Sequence, residues 1–382
     1  MLVHICCSVD SHYFLSELQK QYPEEKLIGF FYNPNIHPES EYILRLNDVR
    51  RSCTMLGIQL IEEDYEQKKW FNSVRGLEHE PEKGKRCIQC FDMRLEKSAE
   101  VAYAMGERRF TTTLLSSPIK EQKILYEQGD IISEKYNLDF IKIDVRKNGG
   151  VQKQNELAKK DLLYRQNYCG CQFALQQQRH KQNRISLEMM SELGRRSLPG
   201  SIEERMETFA SRNALEASNE NFILTQRKKR VWRLLQGKVS YNDSIIHSYI
   251  LAHSESKTAK VGAIVWGQVM LRSLVLQESN LTNIKNLAVA FKVWLGFSKK
   301  DDTLFICLKD FNMLVGTEYK SVLELVYHPI DYEKELLLRT QLCGSETTNP
   351  IIIIDKPIEE NLKIEISSIF QDEKVFQTIA LA

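Results

Sequence analysis

The sequence predicts an α/β protein, an open doubly wound parallel sheet followed by a second domain that is mainly β or α+β. Three observations point there. Strand-like and helical patterns alternate through the first 180 residues, cysteine and polar residues gather where those strands end, and the texture changes after Ser197-Leu198-Pro199-Gly200.

The strand-like runs are Leu2–Cys6, Leu27–Tyr32, Ile58–Glu62, Arg109–Thr113 and Asp139–Ile143. Helical patterns at about Ser11–Gln21, Glu39–Leu56, Phe91–Met105 and Lys120–Tyr136 separate them, as crossover helices between parallel strands must. Cys6-Cys7 ends the first strand, Asn33-Pro34-Asn35 follows the second, and Thr111-Thr112-Thr113 with Ser116-Ser117 closes the fourth. In such sheets the functional crevice lies beyond the carboxyl ends of the strands. Residues 1–180 therefore read as the chemical domain, 181–235 as a basic helical linker containing Arg227-Lys228-Lys229-Arg230, and 236–382 as a β-rich domain of unknown role. Its strand-like runs are Ser244–His253, Lys260–Val269, Ala288–Trp294, Thr303–Leu308, Ser321–Val326, Ile351–Ile354 and Leu362–Ile369, with few long helical patterns.

The 382 residues are 42% hydrophobic and 27% charged with a formal net charge of +1, so composition alone advertises neither nucleic-acid nor membrane binding. No apolar run suits a membrane span and no export signal opens the sequence. With nine cysteines, an odd number, a disulfide framework is disfavoured and a reducing cytoplasm is expected.

Six of those cysteines form three groups in the first half: Cys6-Cys7, Cys87-x-x-Cys90 and Cys169-Gly170-Cys171. Such groups suit zinc, an iron–sulfur cluster or a redox dithiol, since each needs several soft donors at one point. Cys87 and Cys90 open a helix, whose positive end lowers thiol pKa values. For Cys6 and Cys7 to face one site, the backbone must bend at the strand end. Glycine between Cys169 and Cys171 permits close approach to a metal or a strained disulfide. Cys53, Cys307 and Cys343, isolated in apolar surroundings, read as small buried hydrophobes.

The other conspicuous segments have two readings each. Asn33-Pro34-Asn35-Ile36-His37-Pro38 is a rigid polar loop, either a plain connection or a substrate contact. The hydroxyls of Thr111-Thr112-Thr113 and Ser116-Ser117 either cap a helix or bind sugar or phosphate. Tyr164-Arg165-Gln166-Asn167-Tyr168 offers either packing or a surface for stacking on a base.

Taken together, His4-x-Cys6-Cys7, Phe31 to Pro38 with Glu41-Tyr42 and Arg45, Arg86-Cys87-x-x-Cys90-Phe91-x-x-Arg94-Leu95, Phe110 to Leu115 with Ser117-Pro118, and Tyr164-Arg165-Gln166-x-Tyr168-Cys169-Gly170-Cys171 resemble the QueH-type epoxyqueuosine reductases. The motifs run in the family's order over about Met1–Leu175 and do not extend to Ser201–Ala382. The resemblance implies a Rossmann-like, adenine-nucleotide hydrolase-like fold. It also implies a cobalamin-independent iron–sulfur enzyme that reduces epoxyqueuosine, at the tRNA anticodon wobble position, to queuosine. By position, Cys6, Cys7, Cys87 and Cys90 match the cluster cysteines of a [4Fe-4S] centre, and Cys169 and Cys171 the redox-active pair. Where the family often has Pro-Cys after the paired cysteines, Val9-Asp10 stands here, so Asp10 is a candidate metal ligand or proton donor as well as an ordinary N-cap. Asn33, Asn35, His37, Arg45, Thr113, Ser117, Tyr164, Arg165 and Tyr168 are the candidate substrate contacts.

Deoxygenating an epoxide takes two electrons, whereas a cluster passes one at a time, so either two reductions or a second store is needed, and Cys169 and Cys171 are expected to be that store. A rival division places Cys7, Cys87, Cys90 and Asp10 on the cluster, and Cys6, Cys169 and Cys171 on an adjacent single iron or zinc. Either way a low-potential electron donor must serve the enzyme. A sulfur-transferring or adenylating tRNA enzyme on a related fold would carry a glycine-rich phosphate loop where Cys6-Cys7-Ser8-Val9-Asp10-Ser11 stands. A non-catalytic zinc-stabilised tRNA-binding protein is the other alternative. The basic tracts Arg179–Arg196 and Arg227–Arg230 are candidates for gripping tRNA, or solvated faces.

Overall fold

The computed structural model describes residues 1–274 and 290–381, and the chain divides into two compact units. The first comprises 1–190, 205–225 and 377–382, the second 191–204 and 226–376.

In the first unit, β1 (Leu2–Ile5), β2 (Ile28–Phe31), β3 (Gln59–Glu62), β4 (Arg109–Thr112) and β5 (Asp139–Phe140) form one parallel sheet in the order β3-β2-β1-β4-β5. This is the expected doubly wound arrangement. β1 reads Leu-Val-His-Ile and is buried throughout, as a central strand covered on both faces must be. His4 is tolerated there because its ring nitrogens meet Thr112 Oγ1 at 2.8 Å and the Tyr32 carbonyl at 3.1 Å.

The crossover helices are α1 (Ser8–Gln21), α2 (Glu39–Leu56), α3 (Gln67–Ser73), α4 (Lys85–Ala104) and α5 (Gln122–Tyr136). α2 has the predicted bounds and stops at Gly57, whose left-handed φ of 65° suits glycine. The expected helix at Phe91–Met105 begins earlier, so both Cys87 and Cys90 lie within α4. Three further helices, α6 (Gly150–Lys160), α7 (Gln172–Lys181) and α8 (Ile202–Ala217), complete this part of the chain. Gly129 on α5 sits so close to Phe140 that a Cβ would lie 2.2 Å from the ring. Gly129→Ala is accordingly expected to cost about 1–3 kcal/mol by overpacking, measured by urea unfolding; a loss below about 0.5 kcal/mol would contradict this.

The second unit is α+β. β10 (Ile264–Arg272), β11 (Ala290–Ser298), β12 (Leu304–Cys307), β13 (Ile351–Ile354) and β8 (Ser248–Ile250) form one sheet in that spatial order, with β12 and β13 parallel and the other pairs antiparallel. The second sheet has the order β7-β6-β14-β9, built from β6 (Phe222–Tyr241), β7 (Ser244–Ile246), β9 (Lys257–Lys260) and β14 (Lys363–Ala380).

Several expectations fail here. Residues 181–235 are no helical linker, since only α8 and the short α7 end are α-helical and Arg227–Arg230 lies on β6. Arginine, lysine, leucine and glutamine favour helices intrinsically, but pairing with an 18-residue strand outweighs propensity. Ser321–Val326 is not a strand but the start of a helix, α10 (Val322–Tyr327), flanked by α9 (Leu308–Val315) and α11 (Tyr332–Cys343). The Ser321 side chain caps α10 by accepting the Glu324 amide. Residues 288–289 of the expected strand Ala288–Trp294 lie outside the described residues.

All nine cysteines are free thiols. Cys53 and Cys307 are buried as expected, and burial pushes each up to about 12. Cys343 is only half-buried and accepts a contact from Asn349 Nδ2 at 3.4 Å.

Candidate active site

The sheet order reverses between β1 and β4, so the crevice of the first unit opens where those two strands end. The chain leaves β1 through Cys6, and Cys7 becomes the extended N-cap of α1. That bend brings Cys6 Sγ within 3.8 Å of Cys7 Sγ. Asp10 is not an N-cap; it occupies the first turn of α1, with Oδ2 3.6 Å from Cys6 Sγ and Oδ1 accepting from Gln154 Nε2 at 2.9 Å. Ligand atoms of Cys6, Cys7 and Asp10 all lie within 4.8 Å of one another. From the turn that follows β4, Thr113 Oγ1 accepts the Cys6 amide at 3.2 Å and sits 3.5 Å from its sulfur. The contact with Cys7 lowers the Cys6 thiol pKa, while the same contact, with burial, raises that of Cys7. Burial raises the Asp10 carboxyl.

The remaining four thiols come from two helix starts. Cys87 stands in the first turn of α4, its sulfur accepting the Lys83 amide at 3.3 Å. Arg86 fixes the preceding loop by donating from Nη1 to the carbonyls of Leu77, Glu78 and Glu80. Cys171 is the N-cap of α7. Cys90 and Cys171 pack into one cluster with Trp70, Val74 and Ala174, and Cys169 lies against it. Burial, then the neighbouring Cys169, pushes the Cys171 thiol up to about 12. Burial acts to lower the Lys120 ammonium, but Cys169 and Cys87 outweigh it and its pKa ends above the ordinary value.

All six thiols and Asp10 line one cavity of about 490 Å³. The donor set of six sulfurs and one carboxylate suits soft, thiolate-ligated iron or zinc. Several buried polar atoms on its walls have no partner among the described residues: Asn35 Oδ1, Trp70 Nε1, Arg86 Nε and Nη2, and Gln166 Oε1.

The Cys-Gly-Cys loop is held from below. Arg45, ion-paired with Glu41 at 2.7 Å, donates to the carbonyls of Cys169 at 3.2 Å and Tyr168 at 3.1 Å. The Gly170 carbonyl accepts the His37 amide at 2.9 Å. Gly170 has φ 112°, and a Cβ there would meet Ile36 at 2.9 Å, so the position needs glycine. One buried carboxylate joins both sulfur segments: Asp48 accepts Ser8 Oγ, next to Cys7, and the Tyr164 amide at 2.8 Å. Its other oxygen takes Arg212 of α8 at 2.7 Å, and Arg212 also donates to the Leu162 carbonyl at 2.6 Å.

Of the candidate substrate contacts, Asn33, Asn35, Arg45, Ser117, Arg165 and Tyr168 line the cavity, whereas His37, Thr113 and Tyr164 do not. Tyr164 and Tyr168 are not a stacking surface. Both are buried, with their hydroxyls donated to Glu41 and to the His37 carbonyl respectively, and Tyr164 packs edge-on against Phe209. Asn33 is held too, its Nδ2 donating to the Ile5 carbonyl and its Oδ1 accepting from Arg94. Trp70, Lys120 and Gln154 line the cavity without having been singled out, for none stands in a recognisable pattern. The basic tract Arg179–Arg196 is partly internal: Arg179 pairs with Glu188, and Arg196 with Glu192 and Glu335.

His37 lies between Trp70 and Phe71, with ring centroids 4.9 and 4.8 Å away, and both its ring nitrogens lack partners. Burial lowers its pKa from 6.5 to about 4. The unfolded chain therefore takes up the proton first, and this residue's share of stability, roughly 3 kcal/mol, is complete above about pH 6.5 and lost as the pH falls towards about 4. His37→Phe should flatten the dependence of unfolding free energy on pH over that window; an unchanged slope would contradict the assignment.

Among known proteins, a family profile described as Epoxyqueuosine reductase QueH matches residues 1–177. The Epoxyqueuosine reductase QueH of Helicobacter pylori is 43% identical over 387 aligned residues, covering 98% of this chain and 99% of that protein. Its namesake in Haemophilus influenzae is 40% identical over 46% of this chain and 71% of its own length. That of Thermotoga maritima is 36% identical over 49% of this chain and 95% of its own. No described helix is long and apolar enough to cross a membrane.

Proposed function

Because the chain belongs to the epoxyqueuosine reductase QueH family and reduces the epoxide of epoxyqueuosine in tRNA to give queuosine, we propose that the thiol-lined cavity of the first unit is where this happens. The convergence of six cysteines and Asp10 on a single cavity supports this reading. Its volume is of the size that takes one modified nucleoside.

The reaction consumes the epoxide, two electrons and two protons, and releases the alkene and water. Cys87, Cys90, Cys169 and Cys171 would hold a [4Fe-4S] cluster, and Cys6, Cys7 and Asp10 an adjacent single iron or zinc. This grouping follows the packing of Cys90, Cys169 and Cys171 together and the mutual proximity of Cys6, Cys7 and Asp10. It differs from both divisions expected from the sequence, which separated Cys169 and Cys171 from the cluster. Such a pair of centres supplies electrons one at a time and a Lewis acid for the epoxide oxygen. The protein's own part is to fix the donors. Gln154 pins Asp10 Oδ1 so that Oδ2 faces Cys6, Thr113 holds the Cys6 amide, and Arg45 anchors the Cys169 and Tyr168 carbonyls. The unpartnered Asn35 Oδ1 and Trp70 Nε1 are the acceptor and donor left for the nucleoside.

The test is an anaerobic assay on tRNA carrying epoxyqueuosine with a low-potential reductant, read by nucleoside mass spectrometry. Conversion to queuosine that needs iron and sulfide is expected; conversion by metal-free protein would overturn the metal assignment.

A further inference from the structure

The charge on the cavity walls does not resemble that of the chain. The whole sequence is balanced, with 52 basic against 51 acidic residues, yet the walls carry Arg45, Lys83, Arg86, Arg94, Lys120 and Arg165 against only Asp10 and Glu82. These cations fall into two sets. Arg45, Arg86 and Arg94 are at most 3% exposed, and each guanidinium is anchored through at least one nitrogen, to Glu41, to backbone carbonyls or to Asn33. They belong to the framework and offset thiolate charge.

Lys83, Lys120 and Arg165 are different. Lys83 and Arg165 are exposed at the opening, and Lys120 is half-buried behind them, near Cys169 and Cys87. Among the described residues none of the three forms an ion pair with a carboxylate, unlike the nearby Lys123 and Lys147, which face Glu127 and Asp144. Arg165 is steadied by a neutral partner, donating from Nη2 to Asn155 Oδ1 at 2.5 Å, and Lys120 rests over the Phe91 ring at 5.6 Å. Glu82 acts on Lys120 through space and forms no ion pair with it, its carboxylate accepting from Gln178 Nε2 at 3.1 Å. Three cations without a carboxylate ion pair, beside a cavity that would receive a modified base, suit an anion that stays outside with the rest of the substrate.

We propose that Lys83, Lys120 and Arg165 form a phosphodiester subsite that grips the RNA phosphates flanking the wobble nucleotide while its base enters the thiol cavity. The subsite rests on the reading above, that this cavity receives the wobble nucleoside. It separates two tasks: the interior selects the modified base, and the rim fixes the strand that carries it, without reading sequence.

The experiment measures binding of an anticodon stem-loop RNA by the full chain over a range of salt. Lys83→Gln, Lys120→Gln and Arg165→Gln should each raise Kd about fivefold and lower the slope of log Kd against log salt by about 0.7. Lys20→Gln, at an exposed pair with Glu17, serves as the control and should change neither. Replacing the two phosphates flanking the wobble nucleotide by neutral methylphosphonates should weaken binding to the native protein, and should weaken binding to the triple variant far less. Unchanged salt slopes, or losses from protein and RNA that simply add, would overturn the subsite. If the native protein converts epoxyqueuosine yet the slopes do not move, the subsite alone fails; if it converts none, the reading of the cavity fails first.

Discussion

Cys90→Ser is expected to abolish turnover, by about 10²-fold or more, and to strip the protein of acid-labile sulfide and of about four irons per chain. Cys6→Ser should abolish turnover equally but leave the sulfide in place, removing a single metal. The contrast follows from the grouping of the thiols. Cys90 packs with Cys169 and Cys171 beside Trp70, while Cys6 lies 3.8 Å from Cys7 and 3.6 Å from Asp10. Iron, zinc and sulfide analysis with electron paramagnetic resonance of anaerobic samples reads the difference. Cys169→Ser decides the remaining question: loss of sulfide puts this thiol on the cluster, whereas full retention returns Cys169 and Cys171 to the role of a dithiol store and sinks the grouping.

Arg212→Met is expected to destabilise the first unit by about 3–5 kcal/mol, because it leaves the Asp48 carboxylate buried without its ion pair. Both side chains are 1% exposed, so water cannot replace the lost partner. The double variant Asp48→Asn with Arg212→Met should recover much of the loss, since a neutral amide tolerates the site better than an orphaned charge. Urea unfolding measures both, and a single-variant loss below about 1 kcal/mol would show that the pair is not structural. The same contact warns against truncation as a probe of tRNA affinity. A chain cut after Gly200 would lack Arg205, Phe209 and Arg212, which touch Tyr164 and Asp48, so a change in its binding would not isolate the second unit.

Much of the first unit was legible because its strands and helices carry separate periods. The run Leu2–Ile5 is short and wholly apolar, and Glu39–Leu56 ends at a glycine. The meeting of Cys6, Cys87, Cys90 and Cys169 on one edge was legible for the same reason: in a parallel sheet every strand end faces the same crevice. What escaped is what depends on partners distant in sequence. Tyr164 and Tyr168 have the composition of a base-stacking surface, and only their burial against Glu41, Phe209 and the His37 carbonyl makes them framework. How the six sulfurs divide is not legible in the sequence, because spacing along the chain does not say which helix start leans towards which. Arg227–Arg230 is a strand against its local helical propensity because β6 draws its stability from β14, which that propensity does not contain. Ser321 and Glu324, by contrast, form a capping signal that is local in sequence.

The opening of α1 is the place where proteins with this sheet order often seat a nucleotide's phosphate, with glycines letting the backbone curl around it. Here Cys7 takes the N-cap and no glycine follows. The electric field at that helix end favours negative charge whichever element carries it. Where such a fold would receive a ligand's phosphate, this chain presents side chains of its own, Cys7 at the cap with Cys6 and Asp10 beside it.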